Sequence, residues 1–211
     1  MRLRLLLVRH GETEWNQQMR FQGQTDIPLN AKGLEQAESI ARRLQHEPLQ
    51  AIYSSDLQRA WQTAEVIARY HDQSPIPHAE LREMSYGVWE GMTRAEIEAG
   101  EWAELFEKYR KDSLRYRPPG AEYPHEIVER AGRVLQHIRE QHQQGTVCIV
   151  GHGGSLRAML CVALHAPLET FRHIRLDNAS LSVIECGTDW IWVSLINDTC
   201  HLRQEKVQPV I

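Results

Sequence analysis

The chain has 211 residues, 42% of them hydrophobic and 25% charged, with a formal net charge of −4. That length suits one large α/β domain carrying an inserted flap, with a core that needs no disulfide or metal. The mild acidity points away from a nucleic-acid surface, and the first apolar run, Leu5 to Val8, is far too short for a leader or a membrane span.

Leu3 to Val8 predicts a buried strand that runs into Arg9-His10-Gly11-Glu12. Asn30 can cap a helix whose apolar positions run through Leu34, Ala37, Ile40, Ala41 and Leu44. Ala51 to Ser54 is a second short strand. Ser55 or Asp56 then caps a helix with Leu57, Ala60, Trp61, Ala64 and Ile67 at helical spacing, where Trp61 reads as core. Ser74 to Pro77 reads as a loop, and Thr93 to Tyr109 as a polar helix rich in aromatics that ends at Arg117-Pro118-Pro119-Gly120. Glu126 to Gln143 is a further helix, and Thr146 to Val150 a strand that leads into Gly151-His152-Gly153-Gly154. Gly154 opens another helix. Leu181 to Glu185 and Trp190 to Ile196 read as closing strands, with an edge that could pair two subunits into a homodimer. Strands alternating with helices predict a three-layer α/β/α sandwich with a mostly parallel central sheet, helices on both faces and a small helical flap over residues 92–123.

Cys148, Cys161, Cys186 and Cys200 form no CxxC pair and read as free thiols in a reducing, cytoplasmic setting. The histidines show no HExxH or HxH spacing, so no metal site is expected.

Two strands from opposite ends of the chain therefore each deliver a histidine into a glycine-bearing turn. Ligands of open α/β sheets bind where such strands end. A lone histidine after a strand is ordinarily a hydrogen-bonded loop residue. With Arg9 beside His10, and Arg59 on the first turn after Ser54-Ser55-Asp56, the set reads as a phosphate site. A neutral imidazole can attack a phosphomonoester, and phosphoryl transfer asks mainly for in-line positioning and surrounding cations. The leaving alkoxide needs a proton. Glu83 competes for that task with Glu80 and Glu90.

Leu7-Val8-Arg9-His10-Gly11-Glu12-Thr13 resembles the signature of the histidine phosphatase superfamily, the phosphoglycerate-mutase-like family. Further blocks follow in the family's order. They are Gly23 to Leu29 with Gly33, Ser54 to Ala60 with Thr63-Ala64, Leu81 to Met84 with Gly87 and Trp89 to Gly91, and Val150 to Gly154. The resemblance implies that His10 is the phosphohistidine nucleophile and that Arg9, Arg59 and His152 bind the phosphoryl group. It implies that Glu83 is the general acid and base, that Asn16, Gln22 and Gly23 line the pocket, and that no cofactor takes part; Gly153, behind His152, reads from its position as a further phosphate contact. The block around Glu83 looks more like the phosphatase branch, including the α-ribazole-type enzymes. The expected function is thus a phosphatase for small phosphomonoesters; a phosphoglycerate mutase or a non-catalytic phospho-ligand sensor are the alternatives. Pro119 to Tyr123 departs from the common Pro-Gly-Gly-Glu-Ser, which places the bulkier Ala121 and Tyr123 at an expected pocket wall. The aromatics and arginines of 92–123 form either a solvated helix with an apolar seam or a flap that touches the substrate.

Overall fold

Within the first strand, β1 (Leu3–Arg9), Leu5 to Val8 run without a polar break because both faces are covered there. Leu3, Leu5 and Leu7 enter one core cluster, while Leu6 and Val8 enter another. The computed structural model describes residues 2–203. They form a six-stranded sheet that also contains β2 (Leu49–Ser54), β3 (Ile76–Pro77), β4 (Gly145–Gly151), β5 (Leu181–Cys186) and β6 (Ile191–Asp198), in the order β3-β2-β4-β1-β5-β6. The pairs β3–β2, β2–β4 and β4–β1 are parallel; β5 runs antiparallel to both β1 and β6. The sheet is thus mixed but mostly parallel, as expected.

After the one-turn α1 (Glu14–Gln17), α2 (Ala31–Leu44) and α3 (Gln58–Arg69) bury Ile40, Leu44, Ala64 and Ile67 against one face. α6 (Pro124–Gln141) and α7 (Gly153–Ala163) bury Ile127, Val134, Leu156 and Met159 against the other. Between them in sequence lie α4 (Arg94–Ala99) and α5 (Ala103–Lys111).

Some expectations need correction. Asn30 caps α2 through Gly33 N–H as read from sequence, but neither Ser55 nor Asp56 caps α3. Leu57 holds that position, and the carboxylate of the distant Asp26 accepts from Gln58 N–H at 2.7 Å. Trp61 is only half-buried. Ile76–Pro77 pairs with β2, where a loop was expected. The single helix expected over Thr93 to Tyr109 breaks at Gly100 into α4 and α5. The break lets Ile97 and Phe106 wrap Trp89 from two directions, in a satellite cluster joined by Phe21, Tyr86, Trp102 and Tyr109. Cys148, Cys161 and Cys186 are buried free thiols, and burial pushes Cys148 up to about 12, which makes it inert. Cys200 is exposed. Among the described residues no helix is long and apolar enough to cross a membrane, and no three His, Cys, Asp or Glu side chains gather as a metal site.

Candidate active site

The parallel register sets the site. Arg9 lies opposite Gly151 and Ser54 opposite Val150, so β1, β4 and β2 end together. Two main-chain bonds carry the alignment one residue further: His10 N–H donates to Gly151 at 3.0 Å, and Ser55 N–H donates to Val150 at 3.0 Å. His10, His152 and Ser55 thus stand at one sheet edge, where the centroids of the two imidazoles lie 5.1 Å apart.

His10 is buried, and its Nδ1 lies 2.6 Å from the Gly11 carbonyl oxygen. A carbonyl only accepts, so Nδ1 carries the proton and Nε2 keeps the lone pair. Burial, then the charges of Arg59 and Arg9, holds the His10 pKa well below the usual histidine value. The same causes, burial first and Arg59 next, hold His152 well below it too. His152 Nδ1 accepts from Arg59 Nε at 3.2 Å, so its Nε2 is the protonated nitrogen and donates to Ser55 Oγ at 2.8 Å. Arg59 is fully buried. Two of its four remaining N–H donors reach the carbonyls of Thr25 at 2.8 Å and Gly23 at 2.7 Å. Burial draws Arg59 down to about 10, which leaves a full cation at neutral pH. Gly23 sits at φ +55°, a conformation that favours glycine, and a Cβ there would collide with Glu90. Arg9 NH1 donates to Leu176 O at 2.6 Å, while its buried Nε has no protein partner.

These depressed histidines carry a stability consequence. Between their lowered folded pKa values and about 6.5 the unfolded chain binds more protons than the native one, so stability falls as pH is lowered through that window. The thermal midpoint should drop on acidification below pH ~6.5, and His10→Gln should flatten that dependence. An equally steep profile in the variant contradicts the assignment.

Glu83 comes from the loop before α4 and rests on the N-terminus of α7. Its carboxylate accepts from Gly154 N–H at 2.9 and 3.0 Å and from Met84 N–H at 2.7 Å. A Cβ on Gly154 would stand 2.1 Å from Glu83 Oε1, so glycine is what lets the helix approach this carboxylate. The other two acids considered are occupied elsewhere. Glu80 pairs with Arg133 at the surface, and Glu90 binds Gln24, Thr25 and Tyr86 main-chain N–H groups.

Sequence reasoning missed Arg130. From α6 it donates to the carbonyls of Glu80 and Arg82 at 2.6 Å and of Glu83 at 3.0 Å, and it pairs with Glu122 at 2.7 Å. It clamps the loop that carries Glu83, and a lone arginine inside a helix gave no sign of this. Arg130→Met strands three carbonyls and a largely buried carboxylate. The expected loss is about 3 kcal/mol of stability by denaturant unfolding; a loss below about 1 kcal/mol would contradict the clamp.

Arg9, His10, Asn16, Gln22, Gly23, Arg59, Glu83 and Gly153 all line one cavity of about 390 Å³. His152 stands directly behind His10, bound to Arg59. Asn16 also serves its local turn, since its Oδ1 accepts from Thr13 N–H at 3.1 Å and from Asn178. The buried Gln22 Oε1 has no protein partner. The cavity also holds residues that sequence reasoning did not single out, among them Arg20, Phe21, Tyr86, Arg157 and Arg175. Tyr86 brings an aromatic wall from the Glu83 loop. Tyr123, expected at the pocket wall, lines no part of it; Arg117 lies over its ring at 3.8 Å and His125 stacks on it.

In comparison with known proteins, the profile of the histidine phosphatase superfamily (branch 1) matches residues 5–199. The chain belongs to that family. Phosphoserine phosphatase 1 of Hydrogenobacter thermophilus is 34% identical over 206 residues, covering 98% of this chain and 97% of its own. A protein of Proteus mirabilis named as a probable phosphoglycerate mutase is 35% identical over 217 residues, covering 99% of both. A phosphoserine phosphatase of Entamoeba histolytica, solved as a mutant in complex with phosphoserine, superposes with a TM-score of 0.83 at 27% identity. It covers 95% of this chain and 100% of that one. Membership of the histidine phosphatase superfamily thus rests on residues 5–199 of the 211.

Proposed function

We propose that this chain is a phosphatase that hydrolyses small phosphomonoesters through a phosphohistidine on His10. The observation that carries the reading is the His10–Gly11 hydrogen bond. It leaves the Nε2 lone pair as the free ring nitrogen, in a cavity that Arg9, Arg59 and Glu83 also line. Nε2 attacks phosphorus, the bond from phosphorus to the ester oxygen breaks, and protonated Glu83 gives its proton to the departing alkoxide. Glu83, now a carboxylate, takes a proton from water. The water oxygen attacks phosphorus, the bond to Nε2 breaks, and inorganic phosphate leaves. Arg9 and Arg59 supply positive charge to the equatorial oxygens, and His152 holds Arg59 in place from behind.

Because His10 is held below the usual histidine range, its neutral form persists into mildly acidic solution. The acid limb of kcat/KM that reports this group should therefore lie below pH ~6.5. His10 and Glu83 line the same cavity, which favours an enzyme over a sensor. The similarity to a relative named as a phosphoglycerate mutase supplies the second reading. Acid quenching after exposure to a labelled phosphoester should trap acid-labile phosphohistidine; none is expected from a sensor. Incubation with 3-phosphoglycerate should release inorganic phosphate, whereas 2-phosphoglycerate without release would make the chain a mutase.

A further inference from the structure

Beyond Tyr86 lies a second cavity, of about 310 Å³. Tyr86 and Arg157 line both cavities and so form their junction. Arg157 stands on the first turns of α7, four residues after Gly153. Its Nε donates to Gly153 O at 2.8 Å, and its guanidinium lies 4.5 Å from the centre of the Phe171 ring. Gly153 in turn packs against Arg9 and Glu83: a Cβ there would sit 3.6 Å from Arg9 Nε and 3.7 Å from Glu83 Oε2. Arg157 is therefore fixed beside the groups assigned to the phosphoryl end, with a planar ring beneath it.

The other outer cations of the first cavity are committed. Arg175 pairs with Asp177 at 2.9 Å and is 82% exposed, and Arg20 pairs with Glu96 at 2.8 Å and donates to Gly91 O. Among the described residues, the terminal nitrogens of Arg157 meet no carboxylate within salt-bridge distance. A guanidinium fork of that kind matches a carboxylate in bidentate fashion, and one guanidinium balances one negative charge. A neutral leaving group would cover the fork without satisfying it, which costs binding.

We propose that Arg157 and Tyr86 form a subsite that receives a carboxylate on the leaving group, so that the preferred substrates are small phosphorylated carboxylic acids. The subsite rests on the phosphatase reading above and narrows it. Its phenol stays protonated, because burial pushes Tyr86 well above the usual tyrosine value, so it adds no competing charge. The chemistry at phosphorus is unchanged. Arg157 takes no part in bond making and acts on orientation and affinity.

The test uses matched pairs that differ in the carboxylate: O-phosphoserine with O-phosphoethanolamine, and 3-phosphoglycerate with glycerol 3-phosphate. The intact protein should favour the acid of each pair in kcat/KM by roughly 10- to 100-fold, the range of a charge-assisted hydrogen-bonded pair. Arg157→Gln should erase that preference, mostly through KM, and leave the carboxylate-free partners within about 3-fold. Arg157→Lys, which keeps the charge and loses the fork, should restore part of it. Equal turnover of both members by the unaltered protein overturns the subsite. So does an Arg157→Gln loss equal for both, which would mark a purely structural tie to Gly153. p-Nitrophenyl phosphate separates the two readings. Hydrolysis of it without discrimination within the pairs removes the carboxylate subsite alone. No hydrolysis and no phosphohistidine removes the phosphatase reading and the subsite with it.

Discussion

Replacing His10 by alanine should lower turnover on the order of 10⁵-fold, about 7 kcal/mol of transition-state stabilisation. The size follows from what the side chain does. It supplies the only lone pair assigned to attack, and without it the reaction falls back on direct attack by water within the arginine pair. The effect should appear in kcat, while Arg9 and Arg59, unaltered, still hold a phosphate analogue. The fold should survive, since β1 ends at Arg9 and the main-chain bonds of His10 to Gly151 and Ala179 do not involve its ring. Steady-state rates and an acid-quench assay for phosphoprotein check both parts. A His10→Ala protein that keeps more than about 1% of the rate, or still traps label on histidine, places the nucleophile elsewhere.

Glu83→Gln should lower kcat by roughly 10²- to 10⁴-fold, the usual worth of a positioned acid and base. The amide retains an acceptor for Gly154 and Met84 N–H, so the loop and the thermal midpoint should change little. The signature lies in the order of the two steps. With a leaving group that departs without a proton, phosphorylation of His10 persists while attack by water fails. A burst near one equivalent per chain should then precede a slow steady state. Vanadate or phosphate should bind within about 3-fold of the unaltered protein, because the cations are untouched. Binding lost in parallel with kcat would mean that Glu83 shapes the cavity and does not move the proton.

Much of this was legible from the residues. Leu5 to Val8 and Val147 to Val150 are apolar runs that a covered parallel strand requires, and each leads into a glycine-bearing turn with its histidine. Local signals could carry that far and no further. The break at Gly100 follows from Trp89, a residue outside the segment, which Ile97 and Phe106 both cover. The start of α3 is capped from Asp26, more than thirty residues upstream, so no reading of Ser55 and Asp56 could find it. The choice of Glu83 over Glu80 and Glu90 also waited on tertiary contacts, because the three differ in what they meet and not in type. Arg157 and Arg130 share this difficulty. Each is one arginine on a helix, and only the packing of α6 and α7 against the Glu83 loop separates them from solvated neighbours.

The parallel docking of β1 on β4 joins Leu3–Arg9 to Gly145–Gly151, segments far apart in sequence. Contacts between such distant segments close late in folding, because a large loop must lose its freedom first. The two imidazoles meet only after that closure. On dilution from denaturant, helical signal from α2 and α3 should return ahead of catalysis, and recovered enzymatic rate would serve as a clock for completion of the native topology.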